Sequence, residues 1–188
     1  MKKPRLKPKS TVDEICYPFI YEDSLLCDYE ILTDELTRMV GWAIDELQKL
    51  RAQHPSEVTL EKLEEELLWI QPLCYHLNGS IRGKLAITEE DYSQLLSSYR
   101  SLKEVVKDRI SGFVLPRGTS PVGILNRCSS QSKKSIRLMV KIHNTGVKEV
   151  PDVLPKFANV LCNYFFTATV LINKVTGLEE IPFVSKSY

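Results

Sequence analysis

Apolar residues recur along most of this chain at three- and four-residue steps, the repeat that lines one face of a helix. Leu32, Leu36, Val40, Ala43, Leu47 and Leu50 form the first run, in a helix expected from about Asp23 to Gln53 with Pro55 just past its end. Leu60, Leu63, Leu67, Ile70, Cys74, Leu77 and Ile81 form the second. Glu57, Glu61, Glu64, Glu65 and Glu66 make its other face acidic, and Pro72 should kink it or mark a change of packing. Thr88 with Glu89, Glu90 and Asp91 reads as a helix cap. Tyr92, Leu95, Leu96, Tyr99, Leu102, Val106 and Ile110 then supply a third core face. A fourth helix starts at Thr119 or Ser120, with Pro121 at its first position, and ends around Asn144 to Gly146. The fifth runs from near Asp152 to about Thr176, with Gly177 as its stop. Leu154, Phe157, Ala158, Leu161, Phe165, Thr169 and Ile172 line one side of it, and Val160, Tyr164, Val170 and Leu171 make the other side apolar too. Such a helix is central in a bundle or buried in a subunit contact.

The pattern therefore predicts an all-α fold, a five-helix antiparallel bundle with short connections. Its expected limits are residues 23–177, preceded by an irregular basic arm (1–22) and followed by a C-terminal tail (178–188). The short apolar stretch Phe113–Pro116 is too short to make a sheet alone. No other segment reads as a partner strand, so a buried loop is expected there.

Composition narrows the picture. With 188 residues, 43% of them hydrophobic and 26% charged, the chain has enough material for one domain with a sizeable core. A net charge of +1 gives the whole molecule no strong pull on nucleic acid or membranes. Cys16, Cys27, Cys74, Cys128 and Cys162 show no C-x-x-C spacing and read as free thiols in a reducing compartment. The basic N-terminus is followed by no long apolar core, and the apolar run Val160–Ile172 is too short to span a bilayer comfortably; a cytoplasmic location is expected. Lys2, Lys3, Arg5, Lys7 and Lys9 form either a solvated tail or an arm that folds onto a phosphate.

Charge is segregated, however. Between Asp108 and Glu149 there is no acidic residue, while Arg117, Arg127, Lys133, Lys134, Arg137, Lys141 and Lys148 all fall there. Lys134, Arg137 and Lys141 share a helix face, as do Lys133 and Arg137. Cations at fixed pitch, after a helix start at Gly118–Thr119–Ser120 with free backbone N–H groups, suit a phosphate chain. A plain solvated face, or one paired with the acidic second helix, fits the same residues. His54, His76 and His143 are isolated, so no metal site is read; the aromatic residues sit at core spacing and give no stacking platform for nucleic acid.

The stretch from Phe113 to Arg137, FVLPRGTSPVGILNRCSSQSKKSIR, resembles the F-x-L-P-G-G-T segment and following arginine-rich helix of the propanediol-utilisation (PduO) type of ATP:cob(I)alamin adenosyltransferase. Other blocks agree in order. Asp28 to Leu36 is similar to the family's first-helix E-A-Y-G-T-V-D-E-L, and Ile70–Gln71 with Leu77 and Ile81 to its I-Q-x-x-L-F-x-L-G-A-x-L. Ile87 to Asp91 is similar to the start of its third helix, and Asn159 to Phe166 to its L-N-R-L-S-D-x-L-F. Together these cover about residues 28–175.

The resemblance implies a cobalamin adenosyltransferase-like bundle assembled as a homotrimer, with active sites between subunits. The implied reaction transfers the 5′-deoxyadenosyl group of ATP, carried with Mg2+, to the cobalt of reduced cobalamin and releases triphosphate. Cobalamin is a substrate, and no nucleic-acid or membrane partner is implied. The implied catalytic residues are Phe113, the apolar wedge that displaces the lower axial ligand of cobalt, Asp34 of the first helix and Asn159 of the last. Lys133, Lys134, Arg137, Gly118 and Thr119 would bind ATP. Departures accompany the match. The first arginine of the family's A-R-T-x-x-R-R-A-E-R falls on Ser129, the next two on Lys133 and Lys134, and the glutamate on Ile136. Lysine keeps the charge but loses the bidentate fork. Where L-P-G-G-T has two glycines, Arg117 precedes Gly118. The N-terminal phosphate loop T-x-x-G-D-x-G-x-T is absent, no glycine occurring before Gly41. Two further readings therefore stand beside the enzyme: a non-catalytic relative that binds a corrinoid or nucleotide, and a protein that keeps only the trimeric bundle.

Overall fold

The computed structural model describes residues 10–110 and 112–187. Among them five helices carry the fold: α1 (Leu25–Gln53), α2 (Val58–Gly79), α3 (Glu89–Val105), α4 (Ser120–Asn144) and α5 (Val153–Val175). Two short strands, β1 (Val114–Leu115) and β2 (Ile181–Pro182), complete it. α1 and α3 begin at side-chain caps. The Ser24 side chain accepts from the Cys27 amide, and Thr88 and Asp91 form a reciprocal capping box. α4 and α5 are followed by Gly146 and Gly177 at φ 68° and 72°, a conformation that disfavours any side chain and turns the chain out of the helix.

The helices alternate in direction along the chain. α1 and α2 form a hairpin, and α4 packs antiparallel on α1: Glu35 meets Arg127 and Gln131, while Glu46 meets Ser120 further along. α5 packs on α4, and α3 lies beside α5 rather than beside its chain neighbours. Both α3 and α5 end at the same end of the bundle, where Lys174 Nζ bonds Val105 O and Asp108 Oδ1. Packing accounts for this placement. Sixteen of the 23 residues of α5 are buried, so it needs cover on several sides, and α4, α3 and a contact with α2 provide it. α5 is thus the central helix, with Tyr164, Phe157 and Phe165 fully buried. Tyr164 keeps its hydroxyl satisfied by donating to Glu66 Oε2 at 2.7 Å.

Two expectations are corrected. Phe113–Pro116 is not a buried loop: Val114 and Leu115 pair antiparallel with Pro182 and Ile181, and Phe113 is 80% exposed. The partner strand is two residues long, contains a proline and lies in the tail, so it has no periodic signal in the sequence. Glu64 does not belong to a solvated acidic face. It is buried and takes hydrogen bonds from Arg51 and from Gln48, at 2.8 Å for the latter. Pro72 lies on the exposed side of α2, which continues through it to Gly79. The lysine cluster at residues 2–9 lies outside the described residues, and so does any test of whether that arm meets a phosphate. Among the described residues no helix is long and apolar enough to cross a membrane.

Candidate functional site

A cavity of about 600 Å³ opens where the loop before α4 crosses the outer faces of α4 and α5. Gly112, Phe113, Val114 and Pro116 form one wall, Asn126, Ser129, Ser130 and Lys133 of α4 the second, and Cys162, Asn163 and Phe166 of α5 the third. The helical spacing explains the set: Asn126, Ser129, Ser130 and Lys133 recur at three and four residues, and so do Cys162 or Asn163 and Phe166. Phe113 has an exposed ring at this site, held in place by its backbone. Ser129 is buried in the wall, its Oγ 3.3 Å from Cys162 Sγ.

Lys133 is exposed, as are Lys134, Arg137 and Lys141 further along α4, and none of the four makes an ion pair with a described residue. Three of the four acids of α2 are engaged elsewhere. Arg51 takes Glu61 and Glu64, while Lys62 and Tyr164 take Glu66. α4 packs on α1 and α5, so pairing between the basic face and α2 does not occur, and the cations remain available to an anion. Ile136 is half-buried and packs against the hydrophobic core, which accounts for an apolar residue at that position.

Gly118 and Thr119 stand at the start of α4 but do not line the cavity. Gly118 is set by packing: a Cβ there would lie 2.4 Å from Asn173 Oδ1 and 2.6 Å from Val122 Cγ1. Thr119 Oγ1 and Asn173 Oδ1 are buried without hydrogen-bond partners among the described residues.

Asp34 lies elsewhere. It accepts from Arg38 Nε at 2.8 Å and from the Tyr75 hydroxyl at 3.1 Å. The Arg38 bond, against some desolvation and with help from Tyr75, holds its carboxyl below the usual range. It borders a second cavity of about 400 Å³ with Cys16, Tyr17, Ile20, Glu30, Ile31, Arg38 and Asn78. The two cavities share no lining residue, so one chain does not bring Asp34 to Phe113. Asn159 is exposed and donates to Pro155 O at 2.8 Å within its own helix. One turn later on the same face, Asn163 reaches the cavity that Asn159 does not. The repeat of asparagine at i and i+4 was the signal available for it.

The segment before α1 is held by contacts with no sequence signature. Tyr17 donates to Glu30, Arg82 donates to Glu30 at 2.7 Å and forms an ion pair with Glu22 at 2.9 Å, and the Arg82 guanidinium lies 4.0 Å from the Phe19 ring centre. Burial, with the Glu30 carboxylate beside it, pushes the Tyr17 phenol up. No group of three or more His, Cys, Asp or Glu side chains suited to hold a metal occurs among the described residues.

Residues 24–172 match the family described as cobalamin adenosyltransferase. A corrinoid adenosyltransferase of Bacillus subtilis (strain 168) is 25% identical over 170 residues, spanning 86% of this chain and 81% of that protein. The same fold occurs, at 18% identity, in a variant PduO-type ATP:corrinoid adenosyltransferase from Lactobacillus reuteri complexed with cobalamin and ATP. The match covers 88% of this chain and 90% of that one, with a TM-score of 0.71. A second variant of that kind from Lactobacillus reuteri, complexed with ATP, matches over the same shares at 0.68.

Proposed function

This chain belongs to the cobalamin adenosyltransferase family, and on that premise we propose that it transfers the 5′-deoxyadenosyl group of ATP to the cobalt of reduced cobalamin. One observation carries the assignment of the site. An exposed aromatic ring, Phe113, and a cation free of ion pairs with described residues, Lys133, border a single cavity of about 600 Å³. An apolar group for the corrin face and a cation for the departing phosphates are the two things this chemistry needs from the protein.

In the reaction, cobalt(I) attacks C5′, a cobalt–carbon bond forms, and the C5′–O bond breaks. Triphosphate leaves with the electron pair. The protein's part is to position C5′ and to stabilise the accumulating negative charge. Lys133, at the cavity wall, would serve the second task, with Lys134 and Arg137 exposed further along the same helix. Mg2+ enters on the ATP phosphates as part of the substrate. Phe113 would crowd the lower face of the corrin and exclude the axial ligand, which eases reduction of cobalt. Asn163 and Asn126 would supply neutral hydrogen bonds at the cavity wall.

Asp34 contributes only if a second copy brings it to the cavity. A homotrimer is supported by the exposed apolar side chains Ile31, Trp42, Leu68 and Tyr75 on the α1–α2 side that carries Asp34. Ser129, where the resemblance has the arginine that pairs with the aspartate, would then lie across the subunit contact. The free cysteines fit a reducing, cytoplasmic setting. The test is single-turnover and steady-state assay of reduced cobalamin with MgATP, following adenosylcobalamin. Product formation that falls with Phe113→Ala and Lys133→Ala supports the proposal. No product, with measurable corrinoid or ATP binding, would favour the non-catalytic binder that Ser129 makes the competing reading.

A further inference from the structure

Resting on that reading of Phe113, we infer that the backbone of the C-terminal segment, residues 178–184, is a strut that positions the Phe113 loop. The ring of Phe113 is 80% exposed, so its own packing does little to hold it. Its position comes from its backbone, and the bonds that hold that backbone lead to the tail. Phe113 O accepts from the Phe183 amide at 2.8 Å, and Val114 and Leu115 pair with Pro182 and Ile181. At the far end of the loop, Arg117 O accepts from Asn173 Nδ2 at 2.9 Å.

The tail in turn is anchored to the bundle before it reaches the loop. The Leu178 amide bonds Asn173 O at 2.8 Å, and Leu178 O accepts from Arg109 at 3.5 Å. Arg109 also pairs with Glu179 at 2.8 Å. Asn173, 2% exposed, spends its second amide hydrogen on Glu180 Oε1 at 2.9 Å. One buried side chain therefore ties the loop and the tail to α5 at once. The arrangement is a short arm, fixed at its root by Asn173 and Arg109, whose tip holds an exposed working residue by β-pairing. A residue that acts on its ligand by position alone gains from a supporting shell of this kind.

Phe183→Pro removes the donor to Phe113 O, and Phe183→Ala keeps it while deleting the same ring. Pro182 already lies in an extended strand, the conformation a following proline favours. A second variant, Glu180→Ala, releases the root of the arm from Asn173. Three readouts are compared in the full-length protein: hydrogen exchange of peptides covering residues 112–118, the fraction of bound cobalt(II) cobalamin that has lost its lower axial ligand by electron paramagnetic resonance, and kcat with KM.

The expected result for Phe183→Pro is exchange roughly fivefold faster in the loop, as loss of one hydrogen bond gives. The four-coordinate fraction falls with it, and kcat drops by up to about a hundredfold, as small misplacements do. KM for ATP and the thermal midpoint stay near wild type, Phe183→Ala stays near wild type throughout, and Glu180→Ala moves in the same direction as Phe183→Pro. Faster exchange with an unchanged axial-ligand signal and kcat would overturn the inference and leave the tail a structural tie only. Unchanged exchange in both Phe183→Pro and Glu180→Ala would overturn it as well. A wild-type protein that neither binds nor adenosylates cobalamin would instead defeat the proposed function, and the exchange data would then report the strut by itself.

Discussion

Gly118→Ala separates packing from phosphate binding at the start of α4. The added methyl would sit 2.4 Å from Asn173 Oδ1 and 2.6 and 2.7 Å from Val122 Cγ1 and Cβ. Neither neighbour is free to retreat. Val122 is 1% exposed, and the Asn173 amide is held by Arg117 O and Glu180 Oε1. Overpacking of this kind costs about 1–3 kcal/mol. If Asn173 turns away to relieve it, two hydrogen bonds worth about 1 kcal/mol each are weakened. The expected destabilisation is therefore about 2–4 kcal/mol. In urea unfolding this lowers the midpoint by about 1–2 M at an unchanged slope near 2 kcal/mol/M. Asn173→Ala, made alone and with Gly118→Ala, completes a double-mutant cycle with an expected coupling of about 1–2 kcal/mol, because the alanine removes the oxygen the methyl strikes. A Gly118→Ala protein within about 0.5 kcal/mol of wild type, or strictly additive costs, would refute the packing argument. A raised KM for ATP with stability intact would show that the glycine serves the nucleotide.

Other residues give equally direct tests. Arg82→Ala should cost about 2–3 kcal/mol in urea unfolding and speed proteolysis before α1, since it leaves buried Glu30 with Tyr17 alone and frees Glu22 and Phe19. Equal cutting rates would contradict the clamp. For Glu64, burial raises the carboxyl and the Arg51 and Gln48 bonds more than reverse that, so its folded value lies below the ordinary 4.5. Its contribution is complete above 4.5 and disappears as pH falls through the folded value. The stability gap between wild type and Glu64→Gln should accordingly close only on the acid side of 4.5, as followed by unfolding at a series of pH values. Of the five thiols only Cys16 is exposed, and burial pushes Cys74 up to about 12. One thiol per native chain should therefore react with a disulfide reagent at about pH 8, and five in denaturant. Ser129→Arg should raise trimer stability or ATP affinity if Asp34 of a second copy faces this position; sedimentation and ATP titration without change in either would count against that register.

Much of the fold was legible because helices announce themselves through local spacing. The apolar runs placed α1, α2, α4 and α5 to within a few residues, and the apolar girth of α5 marked it as central. The order of short motifs pointed to the family as well, since side chains that meet one ligand keep their spacing on a helix. Lys133, Lys134 and Arg137 were singled out as candidates in this way, and their freedom from ion pairs with described residues came afterwards from the packing of α4 away from α2. The motif pointed to Asn159, and the cavity wall holds Asn163 one turn on, because a motif names a position and only the helix path says which turn faces the cavity.

What the sequence determined by itself, then, is what depends on near neighbours: helix limits, the capping box of α3 and the basic face of α4. Tertiary structure decided whatever depends on residues far apart in the chain. It brought α3 beside α5, buried Glu64 under Arg51, clamped the N-terminal segment with Arg82, and paired β1 with two residues of the tail. It also set Gly118 against a close approach by Asn173. The physical reason is common to all of these. A helix satisfies its backbone within a few residues and so leaves a periodic trace, whereas a two-residue strand, an ion pair or a contact on a missing Cβ takes its partner from a distant segment and leaves none.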